Sequence, residues 1–406
     1  MLRAVPLIAQ ETIDKVAAAS DIVDVVGSYF KLARAGTSYK ALCPFHQEKT
    51  PSFIVNPQRQ SFHCFGCGAG GGVIRFVMDY ENLEFPDAVR RLAERAGIPI
   101  IEEQADADSD RRHSRRKRLL ELHHAAAAWF ARNLLKTTAA DPARQYLKSR
   151  SIDLDIAKSW KLGWAPDSWD AMLGWARGEG YNDDELVEAG LLAVREAGDG
   201  KPRRVYDRFR GRVMFPIRND IGEVIAFSGR ILDPDAKAAK YVNSPESPLF
   251  TKGRVLFGLE HSKRDLLDSK TAIVCEGQID VIRLFESGFR NVTAPQGTAF
   301  TPQQAQTLRR YVERVILCFD SDSAGRAATE KSFASLVEAD LDVSVAPLPR
   351  GEDPDSLIQS GGRAAFEQVL ASTSDYFSFL IDNAKRDGDL DSPRARATMA
   401  ARLAQS

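Results

Sequence analysis

The chain has 406 residues, of which 44% are hydrophobic, and this length predicts two or three domains that each have a core. No apolar run reaches the roughly 20 residues of a membrane-spanning helix, and the N-terminus lacks a signal-peptide pattern, so a soluble cytoplasmic protein is expected. Five cysteines are too few for a disulfide scaffold. The formal net charge of −1 does not by itself indicate a nucleic-acid-binding protein, so the distribution of charge matters more.

Two pairs of metal-binding residues predict a structural zinc site. Cys43 and His46 form the first pair and Cys64 and Cys67 the second, with two residues inside each pair and seventeen between the pairs. This spacing is typical of a tetrahedral zinc ion held at two turns of a β-ribbon. His63 is an alternative ligand, but strand neighbours point to opposite faces, and this favours Cys64.

The sequence around these pairs predicts a small domain. SFIVN and SFHCF have the alternation of a β-hairpin, with two short helices expected before it and two after it, the last ending at Gly97. Several phenylalanines are interleaved with Lys40, Lys49 and Arg59. They could stack single-stranded bases, or form the small core of the domain, which the pattern favours for most of them. These phenylalanines are Phe45, Phe53, Phe62 and Phe65.

The composition changes after this domain. Residues 102–118 are acidic, then basic, and show no apolar period, so we predict a flexible linker. Its basic half, 111–118, could contact phosphate or remain solvated and continue into the next helix. On that helix, His123 and His124 have no partners at metal-ligand spacing and are interpreted as structural.

Positive charge is concentrated in the middle of the chain. Seven basic residues fall within eighteen positions that contain one acid, and such a local stripe favours a polyanionic partner. They are Lys201, Arg203, Arg204, Arg208, Arg210, Arg212 and Arg218. Within this region RVMFPI and EVIAFSGR, joined by residues 219–222, predict a second hairpin.

Two apolar runs in the C-terminal half end on carboxylates. TAIVC leads to Glu276, and VILCF leads to Asp320 and Asp322, within an alternation of strands and helices that predicts a mostly parallel sheet. Ligands collect beyond the carboxyl ends of such strands, so the three carboxylates are expected to converge. Hard oxygen ligands suit Mg²⁺. Cys275 and Cys318, inside the runs, are interpreted as buried apolar residues.

Further acids follow on the same edge of the sheet. GEDPDSL places Asp353 and Asp355 after the next strand, where they could hold a second ion. Alternatively, Asp353 is a turn residue before Pro354, and Asp355 is a helix cap. Asp280, one turn into the helix after Glu276, is a further candidate ligand.

These motifs resemble those of known families. EG at one strand end and DSD at a later one resemble the Toprim fold of bacterial primases, type IA and type II topoisomerases and some nucleases. CPFH, PSF and FHCFGCGAGG resemble the N-terminal zinc-binding domain of DnaG-type bacterial primases. In type IA topoisomerases the Toprim domain precedes the zinc modules, whereas the order here is reversed. The chain is therefore identified as similar to DnaG-type primases.

The resemblance implies an α+β multidomain fold: an N-terminal zinc ribbon, a mixed α/β basic subdomain and a Toprim α/β domain with a mostly parallel sheet. The zinc-binding domain would occupy residues 1–101, followed by the linker at 102–118. The N-terminal basic part of the RNA polymerase core would occupy 119–260 and the Toprim catalytic domain 261–360. Residues 361–406 would begin the C-terminal helical part, and we expect the helicase-binding domain to be absent.

The resemblance also implies an activity, the synthesis of short RNA primers on single-stranded DNA from ribonucleoside triphosphates. Mg²⁺ or Mn²⁺ held by Asp320 and Asp322 would bind the triphosphate, and Glu276 would hold an ion near the 3′-hydroxyl or act as general base. One zinc ion would be structural. The expected protein is a monomer at the replication fork with the replicative helicase as partner. The residues implied to bind template and nucleotide are Arg150, Arg230, Lys240, Asn243 and Lys252.

Two other functions stay open at this point. A Toprim nuclease or topoisomerase would use the same carboxylates to cleave phosphodiesters. A zinc-ribbon protein could instead bind nucleic acid without catalysis.

Overall fold

The chain forms two compact units, Met1–Ser114 and Arg115–Ser406. None of the described helices is long and apolar enough to cross a membrane. Parts of the predicted linker and basic stripe, and most of the segment after residue 386, lie outside the described residues. The computed structural model describes residues 7–81, 83–100, 102–103, 107–195, 204–233, 235, 237–297, 300–386, 392–393 and 397.

Unit 1 contains a five-stranded antiparallel sheet in the order β2-β3-β4-β5-β6, and β1 pairs with β7. The hairpin predicted between the metal-ligand pairs is confirmed as β4 and β5. The strands are β1 (Leu7–Ile8), β2 (Ala33–Ala35), β3 (Ser38–Ala41), β4 (Phe53–Asn56), β5 (Ser61–Cys64), β6 (Gly70–Gly71) and β7 (Glu102–Glu103). The helices are α1 (Gln10–Ala19), α2 (Ile22–Gly27), α3 (Val73–Glu81) and α4 (Phe85–Ala96).

Aromatic rings fill the core of unit 1. Phe53 and Phe62 are buried, with ring centroids 5.2 Å apart, and Phe76 of α3 lies 5.6 Å from Phe62. Phe45 packs on the same cluster, 5.8 Å from Phe62. By contrast, Phe65 is 75% exposed. Three of the four phenylalanines considered from the sequence therefore form the core, and only the ring of Phe65 remains open to a base.

Unit 2 contains two main sheets. Its strands are β8 (Gly163–Ala165), β9 (Leu192–Arg195), β10 (Arg204–Asp207), β11 (Arg212–Arg218), β12 (Val224–Ile231), β13 (Tyr241–Asn243), β14 (Thr271–Val274), β15 (Val292–Thr293), β16 (Arg314–Leu317), β17 (Asp342–Val345) and β18 (Ser374–Asp375). Its helices, the first of which begins before the unit boundary, are α5 (Ala107–Lys136), α6 (Asp141–Ser149), α7 (Leu154–Ser159), α8 (Ala171–Gly178), α9 (Asp183–Glu188), α10 (Leu259–Ser269), α11 (Gln278–Glu286), α12 (Pro302–Arg309), α13 (Ser323–Glu338), α14 (Pro354–Ala371) and α15 (Tyr376–Arg386).

The first sheet of unit 2 is antiparallel, in the order β13-β12-β11-β8, and β9 and β10 form a separate pair. The predicted second hairpin is confirmed as β11 and β12. At its turn, Oδ1 of Asn219 accepts hydrogen bonds from the N–H groups of Ile221 and Glu223 at 3.2 and 2.9 Å. Gly222 has φ +88°, a conformation that glycine adopts readily.

The second sheet has the order β15-β14-β16-β17-β18. The first four strands are parallel and β18 is antiparallel to β17, so the predicted mostly parallel sheet is confirmed. A helix lies in the chain between each pair of successive parallel strands, as in other α/β folds. One hydrophobic cluster joins the two sheets, because it contains Phe215 of β11, Ile273 of β14 and Trp160.

The segment predicted as a flexible linker differs from the structure. Residues 107–118 form the first part of helix α5. Arg115 and Arg118 pair with Glu188 and Glu185 at 2.7 and 3.0 Å. Ion pairs and residue types that favour helices stabilise this part of α5 without an apolar face. The sequence therefore shows no apolar period there.

The basic stripe is only partly a surface feature. Lys201 and Arg203 lie outside the described residues. Arg212 is buried and donates hydrogen bonds to backbone carbonyls of neighbouring segments, and buried Arg218 pairs with Glu260 at 3.3 Å. The guanidinium groups of Arg212 and Arg218 therefore stabilise the fold and do not extend a phosphate-binding surface.

Candidate functional site

The four predicted zinc ligands come together in unit 1. Their ligand atoms all lie within 4.8 Å of one another, with Sγ of Cys43 3.8 Å from Sγ of Cys67 and Sγ of Cys64 3.7 Å from Nδ1 of His46. Four ligands at about 2.3 Å from a central zinc ion have separations of about 3.8 Å. The cluster therefore fits one tetrahedral zinc ion. His63 lies outside it, with its ring 4.8 Å from that of Phe65.

The surroundings of Cys64 favour a thiolate. The N–H groups of Gly66 and Cys67 lie 3.3 and 3.4 Å from its Sγ, and Oγ of Ser52 lies at 3.2 Å. Burial opposes ionisation, but these hydrogen bonds lower the pKa of Cys64 to about 6, which suits a metal-binding sulfur. A Cβ at Gly66 would lie 2.6 Å from Nε2 of His46, so only glycine fits there.

In unit 2, the carboxylates of Glu276 and Asp320 lie at the carboxyl ends of neighbouring strands. The parallel register pairs Val274 with Leu317, which brings the residues after both strands side by side. Oε1 of Glu276 accepts a hydrogen bond of 3.0 Å from the backbone N–H of Asp320. Asp322 is the N-cap of α13, and its Oδ1 accepts from the N–H of residue 325 at 2.8 Å.

These carboxylates interact electrostatically. Burial, together with the charges of Asp320 and Asp322, raises the pKa of Glu276 to about 7. Burial and the charges of Asp353 and Asp322 raise the pKa of Asp320 to about 6. Oδ1 of Asp320 is buried and has no hydrogen-bond partner among the residues that the structure describes. A divalent cation would offset this repulsion and satisfy that oxygen, so the chemistry of these carboxylates suits Mg²⁺.

The spacing of the carboxylates is looser than that of the zinc ligands. Within the described parts of the chain, only the Cys43 group places three or more ligand atoms within 4.8 Å of one another. Glu276 and Asp322 are each oriented by a backbone N–H group. The structure therefore brings Glu276, Asp320 and Asp322 to one edge of the sheet without the spacing of ligands around a single ion.

Gly325 was not identified from the sequence. A Cβ at this position would lie 2.1 Å from the backbone oxygen of Asp320 and 2.8 Å from Oε1 of Glu276. Glycine therefore permits the first turn of α13 to pack directly against both strand ends. In the sequence, a glycine three residues after Asp322, at the start of the predicted helix, is the feature that could have indicated this close packing.

Asp280 is buried next to the same edge. Its Oδ2 accepts a hydrogen bond from the N–H of Gly277 at 3.2 Å, and its Oδ1 accepts from the N–H of Asp355 at 3.3 Å. Burial and the charges of Asp353 and Asp320 raise its pKa well above the ordinary value. In this arrangement Asp280 caps α11 and contributes to the acidic cluster.

Asp353 and Asp355 have different environments. Asp353 is the N-cap of α14, and its Oδ1 accepts from the N–H of Ser356 at 2.6 Å. Asp355 is 1% exposed, and its two carboxylate oxygens accept hydrogen bonds from Arg150 and Arg283 at 2.7 and 3.2 Å. The interpretation of Asp355 as the helix cap is therefore wrong. Its two oxygens are paired with arginines, which does not support a role as a metal ligand.

Arg150, one of the basic residues predicted to bind template or nucleotide, forms an ion pair with Asp355 and so also stabilises the fold. Arg230 donates a hydrogen bond of 2.8 Å to the hydroxyl of Tyr241, and its guanidinium lies 4.7 Å from the ring centroid of Tyr146. The aromatic rings hold the guanidinium plane in place but leave donors available.

The other three residues predicted to bind template or nucleotide follow Arg230 within 22 positions of the chain. Lys240 is exposed, and its positive charge acts to lower the pKa of Asp320. Nδ2 of Asn243 donates to the carbonyl of Gln296 at 3.2 Å, whereas its Oδ1 is buried and finds no partner in the described parts of the chain. Lys252 begins the 3₁₀ turn Lys252–Arg254. Lys240 is thus the predicted basic residue whose charge acts on Asp320, whereas Arg150 pairs with Asp355.

Comparison with known proteins covers both units. Residues 8–108 match the CHC2 zinc finger family. Residues 129–263 match the family described as DNA primase catalytic core, N-terminal domain, and residues 273–358 match the Toprim-like family.

Curated proteins similar to this chain are DNA primases as well. The DNA primase of Pseudomonas putida is 41% identical over 404 residues, covering 98% of this chain and 60% of the relative. The DNA primase of Clostridium acetobutylicum is 40% identical over 382 residues, covering 93% of this chain and 61% of the relative. The chain thus spans about 60% of the length of these relatives.

Solved structures are similar as well. The zinc-binding and RNA polymerase domains of Aquifex aeolicus primase align with a TM-score of 0.59 and 36% identity, covering 92% of this chain and 88% of that one. The RNA polymerase domain of Mycobacterium tuberculosis primase aligns with a TM-score of 0.61 and 35% identity, covering 72% of this chain and 99% of that one.

The three families occur in the order predicted from the motifs, and the cysteine–histidine cluster fits the one zinc ion of a CHC2 ribbon. A Toprim-containing primase core implies a divalent metal such as Mg²⁺, which the carboxylates at the ends of β14 and β16 fit. Sequence order, fold and site chemistry all agree, and the chain belongs to the family of bacterial DnaG-type DNA primases.

Proposed function

We propose that this chain synthesises short RNA primers on single-stranded DNA by Mg²⁺-dependent nucleotidyl transfer. The observation that carries the proposal is the acidic edge of the second sheet. There, Glu276 and Asp320 have raised pKa values, and one buried oxygen of Asp320 has no partner within the described ranges. The curated primases that resemble the chain, and a solved DnaG catalytic domain bound to single-stranded DNA at 34% identity and TM-score 0.60, support the same activity.

The proposed roles follow from the positions of the side chains. Asp320 and Asp322 would hold the divalent ion, which neutralises charge on the triphosphate during transfer. Glu276 would hold an ion near the attacking 3′-hydroxyl. A general-base role for Glu276 remains the alternative, since its pKa of about 7 suits a base only while no cation lowers it. Asp280 and Asp353 would support this edge as additional acids.

The basic side chains would bind template and nucleotide. Lys240, whose charge acts on Asp320, would neutralise a phosphate as a point charge. Arg230, whose plane is fixed by two tyrosine rings, could grip a phosphate with two donors. The unpartnered Oδ1 of Asn243 could accept from a sugar hydroxyl or a base. Arg150 and Lys252 complete the proposed set.

The division into a zinc-binding, a basic and a Toprim part remains part of this proposal, without the flexible linker at 107–118, and the zinc-binding part would help to select the start site. We also propose that the protein acts as a monomer in the cytoplasm, at the replication fork. The replicative helicase is its proposed partner.

A template assay tests the activity. The protein is incubated with single-stranded DNA, labelled ribonucleoside triphosphates and Mg²⁺, and the products are separated by length. New RNA supports primer synthesis, whereas shortened DNA would indicate a nuclease or topoisomerase and a mobility shift alone a binding protein. Glu276→Gln and Asp320→Asn should reduce RNA synthesis to background with circular dichroism unchanged. RNA synthesis at the parent rate by either variant would refute the site.

A further inference from the structure

Glu48 contacts both ligands of the first pair of the zinc cluster, although it is not itself a ligand. Its Oε1 accepts hydrogen bonds from the backbone N–H groups of Cys43 and Ser52 at 2.7 and 3.0 Å. Its Oε2 lies 2.5 Å from Oγ of Ser52 and 3.3 Å from Nε2 of His46. Both oxygens of this carboxylate are therefore directed at the loop that carries the first ligand pair.

The two ring nitrogens of His46 have different surroundings. Nδ1 lies 3.7 Å from Sγ of Cys64, on the side of the ligand cluster, whereas Nε2 faces the Glu48 carboxylate. A metal-binding histidine needs one unprotonated nitrogen, and its other nitrogen commonly donates to a carboxylate that fixes the ring and the tautomer. The geometry meets this requirement with Nδ1 as the ligand atom.

We propose that Glu48 is the positioning residue of the zinc site, which holds His46 for binding through Nδ1 and fixes the backbone at Cys43. Ser52 extends this arrangement to a third ligand. Its hydroxyl lies 2.5 Å from Oε2 of Glu48 and 3.2 Å from Sγ of Cys64. One hydroxyl proton can serve only one acceptor at a time, so Glu48 and the Cys64 sulfur share Ser52.

The substitution Glu48→Gln separates the contact with His46 from the hydrogen bonds to the backbone at Cys43 and Ser52. A glutamine can still accept from the two backbone N–H groups through its single oxygen. Its NH₂ group then faces the N–H of His46, so donor meets donor and the histidine loses its acceptor. Glu48→Ala removes both sets of contacts. Glu81→Gln is the matched control, because Glu81 also accepts two side-chain hydrogen bonds in unit 1, from Tyr29 and Arg91.

Zinc release to a chromogenic chelator from the zinc-loaded full chain tests the proposal without any activity measurement. Loss of a partner of this kind weakens metal affinity by about 10-fold to 100-fold. We therefore expect both Glu48 variants to release zinc at least about 10 times faster than the parent. Glu81→Gln should release it at the parent rate. Equal release from the Glu48→Gln variant and the parent would overturn the proposal.

A second measurement uses the unaltered protein and so does not depend on the folding of a variant. In the zinc-loaded chain, ¹⁵N NMR of the imidazole of His46 should show a metal-bound Nδ1 and a protonated Nε2. Binding through Nε2 would contradict the role of Glu48, because that nitrogen could not then donate to its carboxylate. The result is independent of the proposed primer synthesis, since neither readout involves nucleotides.

Discussion

Asp355 accepts a hydrogen bond of 2.7 Å from Nη1 of Arg150, although the two residues are 205 positions apart in the chain. Arg283 of α11 donates to the other carboxylate oxygen at 3.2 Å. One buried acid thus joins the end of α6, helix α11 and the first turn of α14. This connection holds the helical part of unit 2 against the edge of the parallel sheet that carries Glu276.

Asp355→Asn should destabilise the fold. Removing one member of a buried ion pair commonly costs about 3 kcal/mol or more, because the partner charge is left uncompensated. Urea denaturation of the full chain should show a corresponding fall in the free energy of unfolding. Asp353→Asn is the control, since asparagine caps helices as well as aspartate does. Unchanged stability of the Asp355→Asn variant, together with weaker Mg²⁺ binding, would instead make Asp355 a metal ligand.

Gly325→Ala should abolish primer synthesis although alanine favours helices. The new Cβ would meet the backbone oxygen of Asp320 at 2.1 Å, and α13 would have to move away from both strand ends. Gly174→Ala in α8 is the matched control, because no atom lies within 4 Å of its Cβ position. We expect that control to gain about 0.5–1 kcal/mol of stability and keep its activity. Full activity of the Gly325→Ala variant would show that this packing is not needed.

Stability should fall in mild acid because of His123. Burial lowers the pKa of His123 to about 4, so the folded protein keeps it neutral while the unfolded chain protonates it below pH 6.5. The unfolded state thus binds more protons, and the stability present above pH 6.5 is lost as the pH falls to 4, by about 3 kcal/mol. Burial also lowers the pKa of His261 to about 4, which adds to the loss.

Denaturant unfolding at several pH values checks this prediction. His123→Gln can still donate to the carbonyl of Ala189 but does not titrate, so its stability should depend less on pH than that of the parent. His124→Gln, the exposed neighbour on the same helix, is the control and should behave like the parent. Equal pH dependence of both variants would contradict the assignment to His123.

Mg²⁺ should raise the melting temperature more at pH 8 than at pH 6. Glu276, with a pKa of about 7, and Asp320, with a pKa of about 6, must lose protons before they bind the cation. Glu276→Gln should lose much of this effect, whereas Asp342→Asn, an exposed acid at the other end of the sheet, should keep it. Identical Mg²⁺ responses at the two pH values would contradict the raised pKa values.

In the absence of Mg²⁺, Glu276→Gln should stabilise the protein at high pH. The raised pKa of Glu276 means that the folded protein loses stability as the pH rises from about 4.5 to about 7, where the unfolded chain ionises more easily. Glu276→Gln removes this charge, so the metal-free variant should be more stable than the parent at pH 8. A lower melting temperature for the metal-free variant than for the parent at pH 8 would contradict the raised pKa of Glu276.

The features that could be predicted from sequence are those encoded by local spacing. The two ligand pairs identified the zinc cluster because metal geometry fixes the number of residues within each pair. The apolar runs before Glu276 and Asp320 identified β14 and β16, because buried parallel strands are continuously apolar. Both kinds of pattern depend on residues that are close together in the chain.

The features that could not be predicted depend on partners far away in the sequence. The resemblance implies that Arg150 binds template or nucleotide, but nothing near it in the sequence indicates its ion pair with Asp355, an acid in the last third of the chain. The basic run that contains Arg115 and Arg118 is typical of a linker, and their ion pairs with acids of α9 involve residues about 70 positions away. Gly325 shows the same limit, because its importance comes from the close approach of two separate strands.

The hydrogen bond from the backbone of Asp320 to Glu276 depends on the register of β14 against β16. A slip of one residue would shift one strand end by about 3.3 Å and turn its side chains to the opposite face. Recovery of enzymatic turnover during refolding would therefore report correct strand alignment more stringently than recovery of helical signal does.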